Sequence, residues 1–108
     1  MSLCLAAGAL VATLAVDAFT LAWTHSIEKI RWEEDWRIEA GRLHLVEARI
    51  HGSGAGMEPP EGAVLERGVW RYRPALAPVE HLRLANSAYT ADYELCFDGR
   101  CRPLAEVA

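Results

Sequence analysis

The chain has 108 residues, of which 52% are hydrophobic and 24% charged, with a formal net charge of −4. That balance excludes a disordered chain, and the length suits one domain able to bury roughly 60–70% of the surface it exposes when unfolded. Fifteen acidic against eleven basic residues, with no basic stripe, argue against a nucleic-acid surface, which needs concentrated Lys and Arg to release counterions from phosphate.

The first element is an uncharged apolar run, Leu3 to Val16. A membrane-crossing helix needs about 20 apolar residues, and Asp17 interrupts this run too early, so no transmembrane helix is expected. Two readings remain. The run is the core of a secretory signal cut after Ala18, which would make the protein periplasmic. Or it is a buried pair of strands, Leu3–Ala6 and Ala9–Val16, broken at Gly8. The second reading leaves the protein cytoplasmic or membrane-peripheral, and it is the one adopted.

From Phe19 the side chains alternate. Phe19, Leu21, Trp23, His25 and Ile27 share one strand face, and Thr20, Thr24 and Ser26 the other. Trp32, Glu34, Trp36 and Ile38 then alternate with Arg31, Glu33, Asp35, Arg37 and Glu39, which predicts a second strand. A helix competes here, since Ile27, Ile30, Glu34 and Ile38 also follow helical spacing. Ala40-Gly41 reads as a turn leading into a strand over Leu43–Ile50, and the glycines and prolines of His51–Pro60 predict a loop. Further short strands are expected at Val64–Leu65, Val69–Arg73, His81–Leu84, Tyr93–Phe97 and Arg100–Leu104. The whole predicts a single all-β domain over residues 1–108, an antiparallel sandwich or open barrel of about seven to nine strands.

Asp98-Gly99 is a strong two-residue hairpin signal, because both central positions must tolerate positive φ. Phe97 and Arg100 then close the turn, and Cys96 falls opposite Cys101 as a non-hydrogen-bonded pair. A Cys96–Cys101 disulfide is geometrically allowed and depends on the compartment, with Cys4 pairing with neither. No metal site is expected from three cysteines.

His25 and Ser26 are neighbours but face opposite sides of a strand, so they are not a base and its nucleophile, and no catalytic set is assigned. His25 and Glu34 lie in phase with apolar positions, and Glu47 follows Leu43 and Leu45 in the same way. An unpaired carboxylate on an apolar face is costly. The expectation is therefore that His25 pairs with Glu34 or Glu47. The default reading of that pairing is a core histidine with a structural partner, and the alternative is that the three converge with Glu28 on one pocket. Gly52-Ser53-Gly54-Ala55-Gly56 lacks the Lys-Ser/Thr and the helix of a phosphate loop, so its glycines read as a turn, or as a close approach of backbone to another group. No cofactor is expected.

The THSIEK, WEEDW and GSGAGM segments resemble the bacterial domain-of-unknown-function family 1850, whose members carry a His-Ser-(Val/Ile)-Glu motif, downstream acidic residues and a Gly-Ala-Gly loop. These map to His25, Ser26, Ile27 and Glu28, to Glu33 and Glu34, and to Gly54, Ala55 and Gly56. The resemblance covers most of the chain and implies candidate binding residues at Ser26, Gly54 and Gly56 beside those above. It carries no established activity. It does imply company: such proteins are often encoded beside TRAP-type transporters of the TAXI group. Many members carry an added N-terminal membrane segment, whereas Leu3–Val16 here is similar to the family's first strands. The functional expectation is a non-enzymatic accessory or binding module whose partners are transporter subunits. A small hydrolase or metal-dependent enzyme using His25 and nearby carboxylates is the alternative.

Overall fold

Three two-residue turns shape the molecule. Ala40-Gly41, Arg67-Gly68 and Asp98-Gly99 each hold positive φ at both positions (51° and 73°, 51° and 79°, 52° and 75°). This is the twist that suits a tight hairpin between right-twisted strands, and glycine supplies the second position without steric cost. The computed structural model describes residues 2–7, 10–24, 30–52, 61–82 and 93–107.

Among these are nine strands, all paired antiparallel: β1 (Leu3–Ala7), β2 (Leu10–Leu14), β3 (Ala18–Thr24), β4 (Arg31–Glu39), β5 (Arg42–His51), β6 (Val64–Glu66), β7 (Val69–Tyr72), β8 (Glu94–Phe97) and β9 (Arg100–Pro103). Seven form one sheet in the order β6-β7-β5-β4-β3-β8-β9, and β1-β2 form a separate hairpin. The large sheet is open, with β6 and β9 at its edges, and the arrangement is sandwich-like. The Leu3–Val16 run is a strand pair, as the adopted reading expects. No helix of the described residues is long and apolar enough to cross a membrane.

The helical alternative for residues 31–39 fails because the strand pairs on both sides, with β3 and with β5. Two smaller expectations are corrected. His81 and Leu82 carry no strand; instead Val79 makes a single bridge to Leu43, with hydrogen bonds of 2.7 and 3.0 Å. Two prolines, Pro74 and Pro78, keep this connector from pairing further. The last strand stops at Pro103, and Leu104–Val107 form one helical turn, α1, anchored by Leu104 N–H donating to Tyr93 O at 2.7 Å.

One face of the large sheet is apolar. Phe19, Leu21, Trp36, Ile38 and Leu95 form a buried cluster that Leu3 of β1 joins, with Leu5, Leu14, Val16, Leu43 and Leu45 packed around it. Trp36, Ile50 and Leu95 are the largest fully buried side chains, each worth about 2–3 kcal/mol in removed apolar surface. The opposite face carries Glu33, Asp35 and Arg49.

Candidate functional site

A break in alternation decides which groups meet. In the β4–β5 ladder Asp35 pairs with Glu47, but the next pair is Trp36 with Leu45. Val46 is the extra residue of a β-bulge, 38% exposed and without a counterpart on β4. A bulge of one residue reverses the in–out phase of everything beyond it. Leu43 and Leu45 therefore face the apolar side, while Glu47, Arg49 and His51 face the charged side.

Three rows of residues on that side run across the sheet. Cys101, Cys96, Thr20, Asp35 and Glu47 form one row; Glu94, Ala22, Glu33, Arg49 and Arg71 form the next; and His51 begins the third beside Val69. Arg49 is the hub, with only 15% of its side chain exposed. Its Nη2 donates to Asp35 Oδ1 at 2.8 Å, Nη1 donates to Asp35 Oδ2 and to Glu47 Oε2, and Nε donates to Glu33 Oε1 at 3.2 Å. Glu33 also accepts from Arg31 Nε at 3.2 Å and bonds with His51 Nε2. Thr20 Oγ1 donates to the second carboxylate, Asp35, at 2.7 Å. At the rim Arg31 reaches Glu94 at 3.0 Å, and Arg71 reaches Glu47 at 3.4 Å and Glu66 at 3.6 Å.

Electrostatics follow the geometry. The Arg49 guanidinium, with Thr20 behind it, holds the Asp35 carboxyl below its ordinary range against the opposing effect of burial. Burial acts on Glu33 in the raising direction, but hydrogen bonds from His51, Arg49 and Arg31 outweigh it and its pKa is lowered. The pKa of Arg49 is raised, chiefly by its hydrogen bonds to Asp35.

Glu34 stands on the other face. It lies in a row with Leu95, Leu21, Ala48 and Tyr72, between Trp32 and Trp36 on its own strand. Burial pushes its carboxyl upward, and its charge together with burial raises the Tyr72 phenol. Nearby, Trp23 stacks on Trp32 at 6.2 Å, and Tyr93 meets Trp23 at 5.5 Å.

Glu34 and Glu47 therefore do not meet on the one face that their expected convergence with His25 requires. They occupy opposite faces, because the Val46 bulge turns Glu47 away from the side that Leu43 and Leu45 face. His25, Ser26, Glu28, Gly54 and Gly56 lie outside the described residues. Cys96 and Cys101 face each other across β8 and β9 with Cα atoms 4.0 Å apart and are joined by a disulfide, while Cys4 is an exposed free thiol. The residues that sequence reasoning missed are Arg49, His51 and Arg71. The strict alternation of Arg31, Glu33, Asp35 and Arg37 on β4 did signal a charged face. Nothing in the β5 sequence announced the bulge that delivers Arg49 to it.

Chemically, the network stores charge in fixed positions. Glu33, Asp35 and Glu47 each meet a guanidinium, and among the described residues no three His, Cys, Asp or Glu side chains are placed to hold a metal ion. A profile for the family described as Domain of unknown function (DUF1850) matches residues 19–104. The β1-β2 hairpin lies outside that match. No curated protein and no solved structure matches the chain.

Proposed function

Since the chain belongs to the domain-of-unknown-function family DUF1850, we propose that it acts as a single β unit in a non-enzymatic, partner-binding role beside a TRAP-type solute transporter of the TAXI group. The charged sheet face is the docking surface. The observation that supports this reading is the engagement of Arg49 with Asp35, Glu33 and Glu47 at once. Acid–base catalysis calls for a group poised to exchange a proton near neutral pH. Glu33 and Asp35 are instead held ionised by their cations, which suits a preformed pattern of charge that a partner reads.

The network around Arg49 carries five carboxylates (Glu33, Asp35, Glu47, Glu66 and Glu94) against three arginines (Arg31, Arg49 and Arg71). That surplus favours a basic patch on the transporter subunit and makes binding sensitive to salt. The test is affinity purification of the tagged chain from native bacterial membranes at low ionic strength. The expected result is recovery of transporter subunits with it. A well-folded chain recovered repeatedly without them would overturn the assignment.

A further inference from the structure

The disulfide lies where a solvent thiol can reach it. Cys101 is exposed on the edge strand β9, whereas Cys96 is half-buried on β8 between β3 and β9. Both cysteines line an open groove of about 610 Å³ whose walls also hold Asp35, Arg37, Asp98 and Arg100. The groove is thus lined by two arginines and two aspartates as well as by the disulfide, with Asp35 already engaged by Arg49. Arg37, bonded to Glu39 at 3.0 Å, is itself 52% exposed.

We propose that Cys96–Cys101 is a thiol–disulfide exchange site for an anionic peptide thiol of the glutathione type. The entering thiolate attacks Cys101 Sγ, the accessible sulfur. A bond forms between the incoming sulfur and Cys101, the Cys96–Cys101 bond breaks, and Cys96 leaves with the electron pair as a thiolate that takes a proton from water. A second thiolate attacks the incoming sulfur of the mixed disulfide and releases the oxidised peptide disulfide, leaving Cys101 reduced. Two electrons have then passed from two thiols to the protein. Arg37 and Arg100 receive the carboxylates of the peptide, and Asp98 its ammonium group.

Exchange does not require unfolding. The two cysteines are only five positions apart, and such short loops constrain the unfolded chain least. The hairpin is independently fixed by the Asp98-Gly99 turn and by the pairing of β8 with β3 over Thr20–Ala22. The site also adjoins the charged face directly, since Cys96 and Thr20 are register partners and Thr20 binds Asp35.

The experiment uses the full chain carrying Cys4→Ser, oxidised, with glutathione added in native buffer and in denaturing urea. Products are trapped by acid and mapped by mass. The expected native rate lies within about a hundredfold of the denatured rate, with the adduct on Cys101 and the circular dichroism unchanged. A native rate lower than that would mean the bond waits for opening of the fold, which costs far larger factors, and would overturn the proposal. An adduct on Cys96 would overturn it as well. Selectivity is read by comparing glutathione with the cationic thiol 2-mercaptoethylamine, each normalised to its own rate on the denatured chain. At low salt glutathione is expected to be favoured by about tenfold, and Arg100→Ala to remove most of that preference. Equal normalised rates for the two thiols would reject the anionic peptide as the ligand class.

Discussion

Arg49 grips Asp35 through both terminal guanidinium nitrogens, with Nη2 2.8 Å from Oδ1, and the pair joins two strands across the β4–β5 ladder. A planar fork meeting a carboxylate in this way fixes direction as well as charge. Arg49→Ala leaves Asp35 and Glu33 without their shared cation in a poorly solvated place. The expected loss is about 2–4 kcal/mol of stability in urea unfolding. Arg49→Lys is expected to recover only part, because an ammonium cannot make the two-pronged contact.

The acid limb of stability follows from the same contacts. Glu33 and Asp35 have folded pKa values below their unfolded ones. Their contribution is therefore complete above the ordinary carboxylate range and is lost as pH falls through the lowered folded values. Glu34 has the opposite sign: its folded pKa is raised by burial, so ionisation at neutral pH destabilises the fold and protonation relieves this as pH falls. Glu34→Gln is expected to be more stable than the parent at pH 7, with the difference shrinking toward pH 4. Chemical denaturation at several pH values reads both trends, and a Glu34→Gln chain less stable at every pH would contradict the placement of Glu34.

The bulge makes a sharper demand. Deleting Val46 puts Leu45 directly before Glu47, so that plain alternation keeps Leu43 and Leu45 on the apolar side and Glu47 and Arg49 on the charged side without a bulge. The deletion and Val46→Ala are both expected to keep cooperative unfolding, the latter changing stability by only about 0.5 kcal/mol. An alanine inserted between Glu47 and Ala48 instead turns the buried Ile50 toward the charged side and is expected to abolish cooperative unfolding. Calorimetry distinguishes the two outcomes directly.

That bulge also marks the limit of what the sequence reveals. Period-two alternation made β3 and β4 legible, and Asp98-Gly99 fixed the β8–β9 register, because both signals are local. The all-β class followed from them. The extra residue at Val46 has no such signature: Leu43, Leu45, Glu47 and Arg49 read as one unbroken phase. The error propagated to the site, pairing Glu47 with the apolar face that Glu34 occupies and hiding Arg49 altogether. The charged face depends on pairing between β3, β4, β5, β7 and β8, which no single stretch encodes.

Turn chemistry offers an independent check on the hairpins. Ala40 holds φ of 51°, a region that costs a side chain bearing Cβ about 1 kcal/mol. Ala40→Gly is therefore expected to raise stability by up to about 1 kcal/mol, although glycine usually weakens structure. Gly99→Ala, at φ of 75°, is expected to lower it by a similar amount. Both are read from denaturation midpoints, and a reversed sign at either position would mean that the turn has a different conformation.

The most direct test of the charged face as a docking surface is a paired capture measurement with detergent-solubilised transporter subunits. The parent chain and the rim variant Glu66→Gln/Glu94→Gln are immobilised side by side and titrated at low and at raised ionic strength. Glu94 is 36% exposed and Glu66 63% exposed, so the substitutions reduce the surface charge and spare the Arg49–Asp35 pair. The account predicts saturable binding to the parent that weakens with salt, and binding to the variant weaker by about tenfold. Equal, salt-independent capture by both chains, or none by either, would contradict it.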